Sequence, residues 1–295
     1  MRADRVMSAV RQWAAPAVPL ARVAVLRTAI YLFVLFDIAK ISNGAFSHGD
    51  TPVQLYQPLG IRKLFHLPVP SHDYVRVLAV VIVVSALVAA TGKLPRLAGW
   101  VCAAGMLDWV SNNFSYGKID HDHTALMIAL LVLPTVGRAR YRDTELSESA
   151  GWALRCIQIG VVATYFLSAA AKIRFGGWGW PSSAIFTWAF VRRGTPLAQR
   201  MLDYPFLVVA SQWALIILET LSPVLLFLRG KVLYLAIAVF GLFHLSTYLL
   251  LKIHFLPLVI CLLAFLPLER LVPASASTRA ARGQRTPWGG TRKLV

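Results

Sequence analysis

Ionisable side chains recur inside the long apolar stretches of this 295-residue chain, and one group of them has the spacing of a site. Tyr165, Ser168 and Lys172 close the fifth stretch at intervals of three and four, so they share one helix face. A lysine at the end of a membrane helix is commonly an anchor that reaches the interface. If neighbouring helices desolvate its amine instead, the neutral form is favoured and Lys172 becomes a general base. The small side chains at 169–171 permit close helix approach, which favours the second interpretation.

A second polar group, Asp120, His121, Asp122 and His123, opens the fourth apolar stretch. Histidines two positions apart diverge on a helix, and chelation by such a pair usually needs an extended strand. The group is therefore either a polar cap at the positive end of a helix or one wall of a site. We predict no bound metal.

A third polar group surrounds His244 in the seventh stretch. Thr247 and Tyr248 lie on the same helix face, and His254 opens the eighth stretch after a short turn. The topology inferred from the loop charges places the ionisable residues of several spans at a similar depth, towards the outer side of the membrane. Such a grouping predicts a shared cavity. The residues expected at that level are His121, His123, Lys172, His244 and His254.

Five further charged residues lie within the apolar stretches and need partners inside the bundle. They are Arg27, Asp37, Asp108, Arg155 and Glu219. Arg27 and Asp37 are ten residues apart, about 15 Å along a helix, so they cannot pair directly. Asp37 is expected to accept a hydrogen bond from the second polar group. Glu219 precedes a Ser-Pro pair at 222–223, which predicts a kink.

Composition identifies the protein class. Hydrophobic residues make up 57% of the chain and charged residues 15%, too little polar surface for a soluble protein of this size. We predict an all-α, polytopic transmembrane helical bundle with about eight spans. The predicted spans are 23–41, 75–91, 97–110, 124–136, 152–171, 205–228, 231–251 and 255–268. The Trp-containing stretch at 183–191 is expected to be an interfacial or re-entrant piece.

The loop charges predict topology. Lysine and arginine are concentrated in the short loops after the second, fourth and sixth spans, which places both termini in the cytoplasm of what we expect to be a bacterial plasma membrane. The resulting regions are a cytoplasmic N-terminal segment at 1–21, a transmembrane domain at 22–268 and a disordered, basic cytoplasmic tail at 269–295. The net charge of +17 therefore serves topology and contact with membrane lipids, and no nucleic-acid partner is expected. Three cysteines without paired spacing predict no disulfide framework.

The order of several motifs resembles the HTTM superfamily, whose best understood members are the vitamin K-dependent γ-glutamyl carboxylases. The first span runs from Arg27 to Asp37 as the family's opening helix does. Tyr165-Phe-Leu-Ser-Ala-Ala-Ala-Lys172, followed by Trp178, is similar to the family's Tyr-Phe and lysine motif with a later tryptophan. Phe243-His244 looks like the carboxylases' Phe-His pair. Either His121 or His123 matches the family's supporting histidine, with a slight preference for His121 from its distance to a later proline.

This resemblance implies a site in which Lys172 is the catalytic base, His121 or His123 orients it and His244 forms a second polar wall. It implies a quinol cofactor, such as menaquinol or vitamin K hydroquinone, with Tyr165, Trp178, Tyr248 and His254 as its candidate contacts. The chain lacks the carboxylases' large extramembrane C-terminal domain, so carboxylation of protein substrates is not expected. The alternative is a non-catalytic, DoxX-like quinone-binding or partner subunit of the membrane. No protein partner follows from the sequence.

Overall fold

The computed structural model describes residues 2–272, and within them the chain folds almost wholly as helices. Val18–Pro19 (β1) and Leu146–Ser147 (β2) pair antiparallel and form the one small sheet of the described chain. The α-helices are α1 Arg2–Ala14, α2 Leu20–Phe36, α3 Gly60–Leu64, α4 His72–Thr91, α5 Leu97–Phe114, α6 His123–Val136, α7 Glu148–Gly176, α8 Ile185–Arg193, α9 Pro196–Met201, α10 Pro205–Leu221, α11 Gly230–Leu251 and α12 Leu256–Cys261.

Several helices continue into tighter or wider turns. A π turn at Asp37–Ile41 extends α2, and 3₁₀ turns at Ser222–Leu226 and Leu262–Phe265 extend α10 and α12. The break in α10 comes where the Ser-Pro pair predicts a kink, because proline at 223 has no amide hydrogen for the α-helical ladder.

Four helical segments of the described chain are long and apolar enough to cross a bilayer. They are His72–Thr91, Glu148–Gly176, Pro205–Leu226 and Gly230–Leu251. The prediction of a helical protein is confirmed, and the length and composition of these four segments support the prediction that it is embedded in a membrane. The other four predicted spans are also helical, but they are shorter or less apolar, so a total of eight spans stays a prediction.

The main core is formed by α2, α4, α5, α6, α7 and α12, whose facing side chains are fully buried. Glycines allow close approach between these helices: a Cβ on Gly105 would lie 2.8 Å from Ile82, and one on Gly160 would lie 2.7 Å from Ile128. By contrast, α11 exposes Val232, Leu235 and Leu242 by 60–67% of their surface. Lipid is the solvent that suits such a face.

The region before the first span, for which the sequence analysis predicts no helix or strand, contains both. α1 is a helix that exposes Val6, Met7 and Val10, and the chain then pairs through β1 with β2. Trp13 at the end of α1 stacks on Phe227, with the ring centroids 6.1 Å apart. The expected N-terminal segment is therefore attached to the helical bundle.

The predicted boundary at 268 falls inside a 3₁₀ turn at Leu268–Leu271. In this turn Glu269 accepts two hydrogen bonds of 2.7 Å from Arg22 at the start of α2. The remainder of the predicted tail, from 273 onward, lies outside the described residues. The predicted interfacial piece at 183–191 corresponds to α8, which packs with α9 against α10 and α11.

Candidate functional site

A cavity of about 250 Å³ lies between α7, α10 and α11, and the segment that leads into α12 forms another of its walls. Its walls are mostly apolar and aromatic, with five side chains that carry a titratable group. The polar wall residues central to the site are His121, Tyr165, Lys172, Glu219 and His244. Four of these residues belong to the groups from which the sequence predicts a shared cavity.

Lys172 forms an ion pair with Glu219 across the contact between α7 and α10. Its Nζ atom lies 2.8 Å from Oε2 and 3.0 Å from Oε1 of the carboxylate, and it also donates to Ser168 Oγ at 2.6 Å. The lysine side chain is 23% exposed and the glutamate 7%. The ring of Trp180 lies 5.8 Å from the ammonium, within range of a cation–π contact. The pair places one positive and one negative group at the cavity without net charge.

The second polar pair of the cavity joins Tyr165 to His244. The tyrosine OH and the histidine Nε2 are 2.6 Å apart, and both side chains are buried. In the tautomer in which the phenol donates to Nε2, Nδ1 carries the hydrogen. That Nδ1 is buried and has no hydrogen-bond partner among the described residues. A buried polar group without a partner is uncommon in a folded protein.

The two histidines before and at the start of α6 have different surroundings. His121 lines the cavity, with its ring 6.1 Å from that of Phe255. Desolvation lowers the pKa of His121 below the ordinary imidazole value of 6.5, so the ring is neutral near pH 7. His123 points away from the cavity, because residues two positions apart diverge at a helix start. Of the two alternatives left open by the sequence, His121 is the one that faces Lys172.

His123 instead joins a buried network between α2, α5 and α6. Its Nε2 lies 3.1 Å from Asp37 Oδ1 and its Nδ1 lies 3.1 Å from Asp122 Oδ1. Ser42 donates to Asp37 at 2.7 Å, and the Trp109 indole donates to Ser42 at 2.8 Å. Every polar group in this chain of contacts has a partner, so the network fixes helix positions rather than presenting a reactive group.

Three of the candidate cofactor contacts lie away from this cavity. Trp178 is 86% exposed and borders a separate apolar groove. Tyr248 is 44% exposed beneath the Lys252 ammonium, and His254 is exposed. The tryptophan that lies near Lys172 is Trp180, two residues after Trp178. Gly177, with φ of 73°, reverses the chain after α7, and this turn brings Trp180 rather than Trp178 back towards Lys172.

The remaining intramembrane charges have structural partners. Arg27 donates to two backbone carbonyls, that of Gly137 at 3.3 Å and that of Ala139 at 2.8 Å. Asp108 is bound by Arg62 and by the hydroxyl of Tyr74. Arg62 lies in the short helix α3, between α2 and α4, and nothing in its sequence context predicts that it enters the bundle.

No protein-family model, curated protein or solved structure matches this chain. Within residues 2–272, no three His, Cys, Asp or Glu side chains are grouped so that they could hold a metal ion. The function therefore has to be argued from the cavity itself.

Proposed function

We propose that the chain is an integral membrane protein of the HTTM type that binds a quinol, or a similar lipid-soluble phenol, in the cavity beside Lys172 and transfers its proton. The observation that carries this proposal is the placement of two proton-exchanging pairs, Lys172–Glu219 and Tyr165–His244, on the walls of one small apolar cavity. Water-poor surroundings strengthen the interaction of each pair with a bound hydroxyl.

The cavity walls suit the chemistry of a quinol. Phe186, Phe243 and Phe255 supply aromatic faces on which a ring can pack. The ring's oxygens need partners at the cavity wall, and Lys172, Glu219 and His244 are the polar residues that we expect to supply them. A lipid-soluble molecule is also able to reach such a site from the bilayer without crossing water.

The ion pair is able to accept a proton from a bound hydroxyl by either of two equivalent routes. In the first, the Glu219 carboxylate accepts the proton while the Lys172 ammonium compensates the negative charge left on the ligand oxygen. In the second, a proton first passes from Lys172 to Glu219, and the neutral amine then accepts the ligand's proton. Both routes end with an ammonium, a carboxylic acid and a ligand anion, so the pair acts as one coupled base.

The proposal includes an orientation of the protein in the membrane. With eight spans and both termini in the cytoplasm of a bacterial plasma membrane, the C-terminal half of α7 and the cavity lie towards the outer leaflet. The concentration of Lys and Arg in the alternate short loops supports this orientation.

One observation favours a second candidate function, a non-catalytic quinone-binding subunit. Lys172 is compensated within the protein by Glu219 and Ser168, which is how a lysine that only shapes a binding pocket is held. The two functions differ in turnover: a binding subunit retains its ligand stoichiometrically and returns it unchanged.

The test is mass spectrometry of ligands bound to the solubilised protein, before and after incubation with menaquinol. The variants are Lys172→Ala and His244→Ala, with Lys40→Ala and His254→Ala as matched controls because both residues are exposed and outside the cavity. The proposal expects bound quinone in the wild type and both controls, and its loss in both cavity variants. Equal quinone in all five proteins, or none in the wild type after incubation, overturns the proposal.

A further inference from the structure

A second cavity, of about 500 Å³, lies near the start of α7 and is unrelated to the site described above. It is bounded by α1, the first turns of α7 and the 3₁₀ turn after α10. Arg155 in its wall is seventeen residues before Lys172, about 25 Å away along the helix. The two cavities therefore face opposite ends of the bundle.

Two arginines at this cavity have no carboxylate partner among the described residues. Arg155 donates from Nε to the Trp13 carbonyl at 3.0 Å and from Nη1 to the Leu226 carbonyl at 3.3 Å, and both acceptors are neutral. Its guanidinium also lies 4.7 Å from the centroid of the Trp13 ring. Arg229 borders the same cavity, is exposed and immediately precedes α11.

A third arginine at the cavity, Arg22, differs from these two because a carboxylate neutralises its charge. Arg22 is bound by both oxygens of Glu269 at 2.7 Å, so its charge is neutralised. No aspartate or glutamate borders the cavity within the described chain, whereas Gln12 and Gln158 add amide groups. Two uncompensated guanidinium groups beside amide donors form a site for an anion with several acceptor oxygens, and phosphate is the group that arginine recognises in this way.

The surroundings indicate a lipid rather than a soluble source for the phosphate. The cavity continues along apolar side chains, among them Leu225, Leu233 and Phe265, which suit acyl chains. α1 exposes Val6, Met7 and Val10 beside it, as a helix lying at the membrane interface does. We propose that this cavity binds the phosphate of an anionic phospholipid headgroup through Arg155 and Arg229.

The test is native mass spectrometry of the full chain, delipidated in detergent and then incubated with phosphatidylglycerol, phosphatidylcholine or inorganic phosphate. Arg155→Gln would also break two hydrogen bonds to backbone carbonyls and so could disturb the fold. Arg229→Gln is therefore the main variant, because Arg229 is exposed and its replacement is expected to preserve the fold. Arg140→Gln is the matched control, because Arg140 is exposed on the α6–α7 connection and does not border the cavity.

The proposal expects one tightly retained phosphatidylglycerol on the wild type and on Arg140→Gln, with occupancy reduced about fivefold or more in Arg229→Gln. If instead inorganic phosphate raises the thermal stability of the wild type but not of Arg229→Gln, and phosphatidylglycerol is not retained, the anion site stands and its source is soluble. Equal binding of phosphatidylglycerol by the wild type, Arg229→Gln and Arg140→Gln, or binding of no phosphate compound at all, overturns the proposal.

Discussion

Lys172 on α7 and Glu219 on α10 form a two-pronged ion pair, in which Nζ lies within 3.0 Å of both carboxylate oxygens. The glutamate is nearly buried, so its charge is stabilised mainly by the lysine. Each partner sits where its helix changes: Lys172 lies in the last turn and a half of α7, and Glu219 comes just before α10 tightens into a 3₁₀ turn. The pair therefore fixes the relative position of two helices as well as the polarity of the cavity between them.

The first prediction concerns the stability of this pair. Lys172→Met leaves Glu219 buried without its counter-charge, and we expect a loss of about 2–3 kcal/mol in unfolding free energy, below the full range for a buried pair because Lys172 is partly exposed. Glu219→Gln is expected to cost less, because the ammonium is able to shift towards solvent. Thermal unfolding in detergent measures both effects.

The double variant Lys172→Met/Glu219→Gln supplies the control for this prediction. Because it removes both charges, we expect it to be more stable than Lys172→Met alone, with a coupling free energy of about 1 kcal/mol or more. If the double variant instead lost the sum of the two single losses, the ion pair would contribute nothing to stability.

The second prediction concerns the hydrogen bond between Tyr165 and His244. Tyr165→Phe removes the hydroxyl and leaves the buried Nε2 without a partner, so we expect a loss of about 1–3 kcal/mol in unfolding free energy. Tyr248→Phe on α11 is the matched control, because that ring is 44% exposed and outside the cavity. Comparable melting temperatures for the two variants would contradict the importance of the buried hydrogen bond.

The sequence predicts much of the fold because apolar length is its strongest signal. The eight apolar stretches all become helices, and the break after Glu219 follows from proline at 223. α1 is missed because its thirteen residues carry many charges and precede two prolines, a pattern that also fits an unstructured segment. Its helical conformation depends on tertiary contacts, such as those of Trp13 with Arg155 and Phe227, which no local pattern reveals.

The candidate site is predictable within one helix and less so between helices. Spacing alone places Tyr165, Ser168 and Lys172 on one face, and the structure brings that face to His244. The pairing of Lys172 with Glu219 depends on the relative height of α7 and α10, which loop lengths do not determine. Trp180 lies near Lys172 because the chain reverses at Gly177. A sequence motif defined by fixed spacing does not reveal such a turn.

The third prediction concerns the close contact between the start of α7 and the segment before α2. A Cβ built on Gly151 would lie 1.6 Å from the backbone oxygen of Pro16, and a backbone atom cannot move aside as a side-chain end does. We expect Gly151→Ala to displace this segment and to lower unfolding free energy by about 1–3 kcal/mol. Gly241→Ala on α11 is the control, because nothing lies within 4 Å of its Cβ position. Limited proteolysis after α1 and thermal unfolding measure the change, and unaltered behaviour of Gly151→Ala would contradict the contact.

The fourth prediction concerns the pH dependence of the pair between Arg22 and Glu269. Burial raises the pKa of Glu269, but the hydrogen bonds and positive charge of Arg22 outweigh this effect and bring the pKa below its ordinary value of 4.5. A carboxylate whose pKa is lower in the folded state stabilises the fold above the unfolded-state pKa, and this contribution is lost as the pH falls through the folded-state pKa. We therefore expect Glu269→Gln to be less stable than the wild type by about 1 kcal/mol at pH 7, with the difference shrinking below about pH 5.

Glu148→Gln is the control, because the Arg11–Glu148 pair is 74% and 55% exposed and should contribute no measurable stability at either pH. Thermal unfolding of the three proteins across this pH range measures the effect. If the stability difference between the wild type and Glu269→Gln grew as the pH fell, Arg22 would not be stabilising the Glu269 carboxylate.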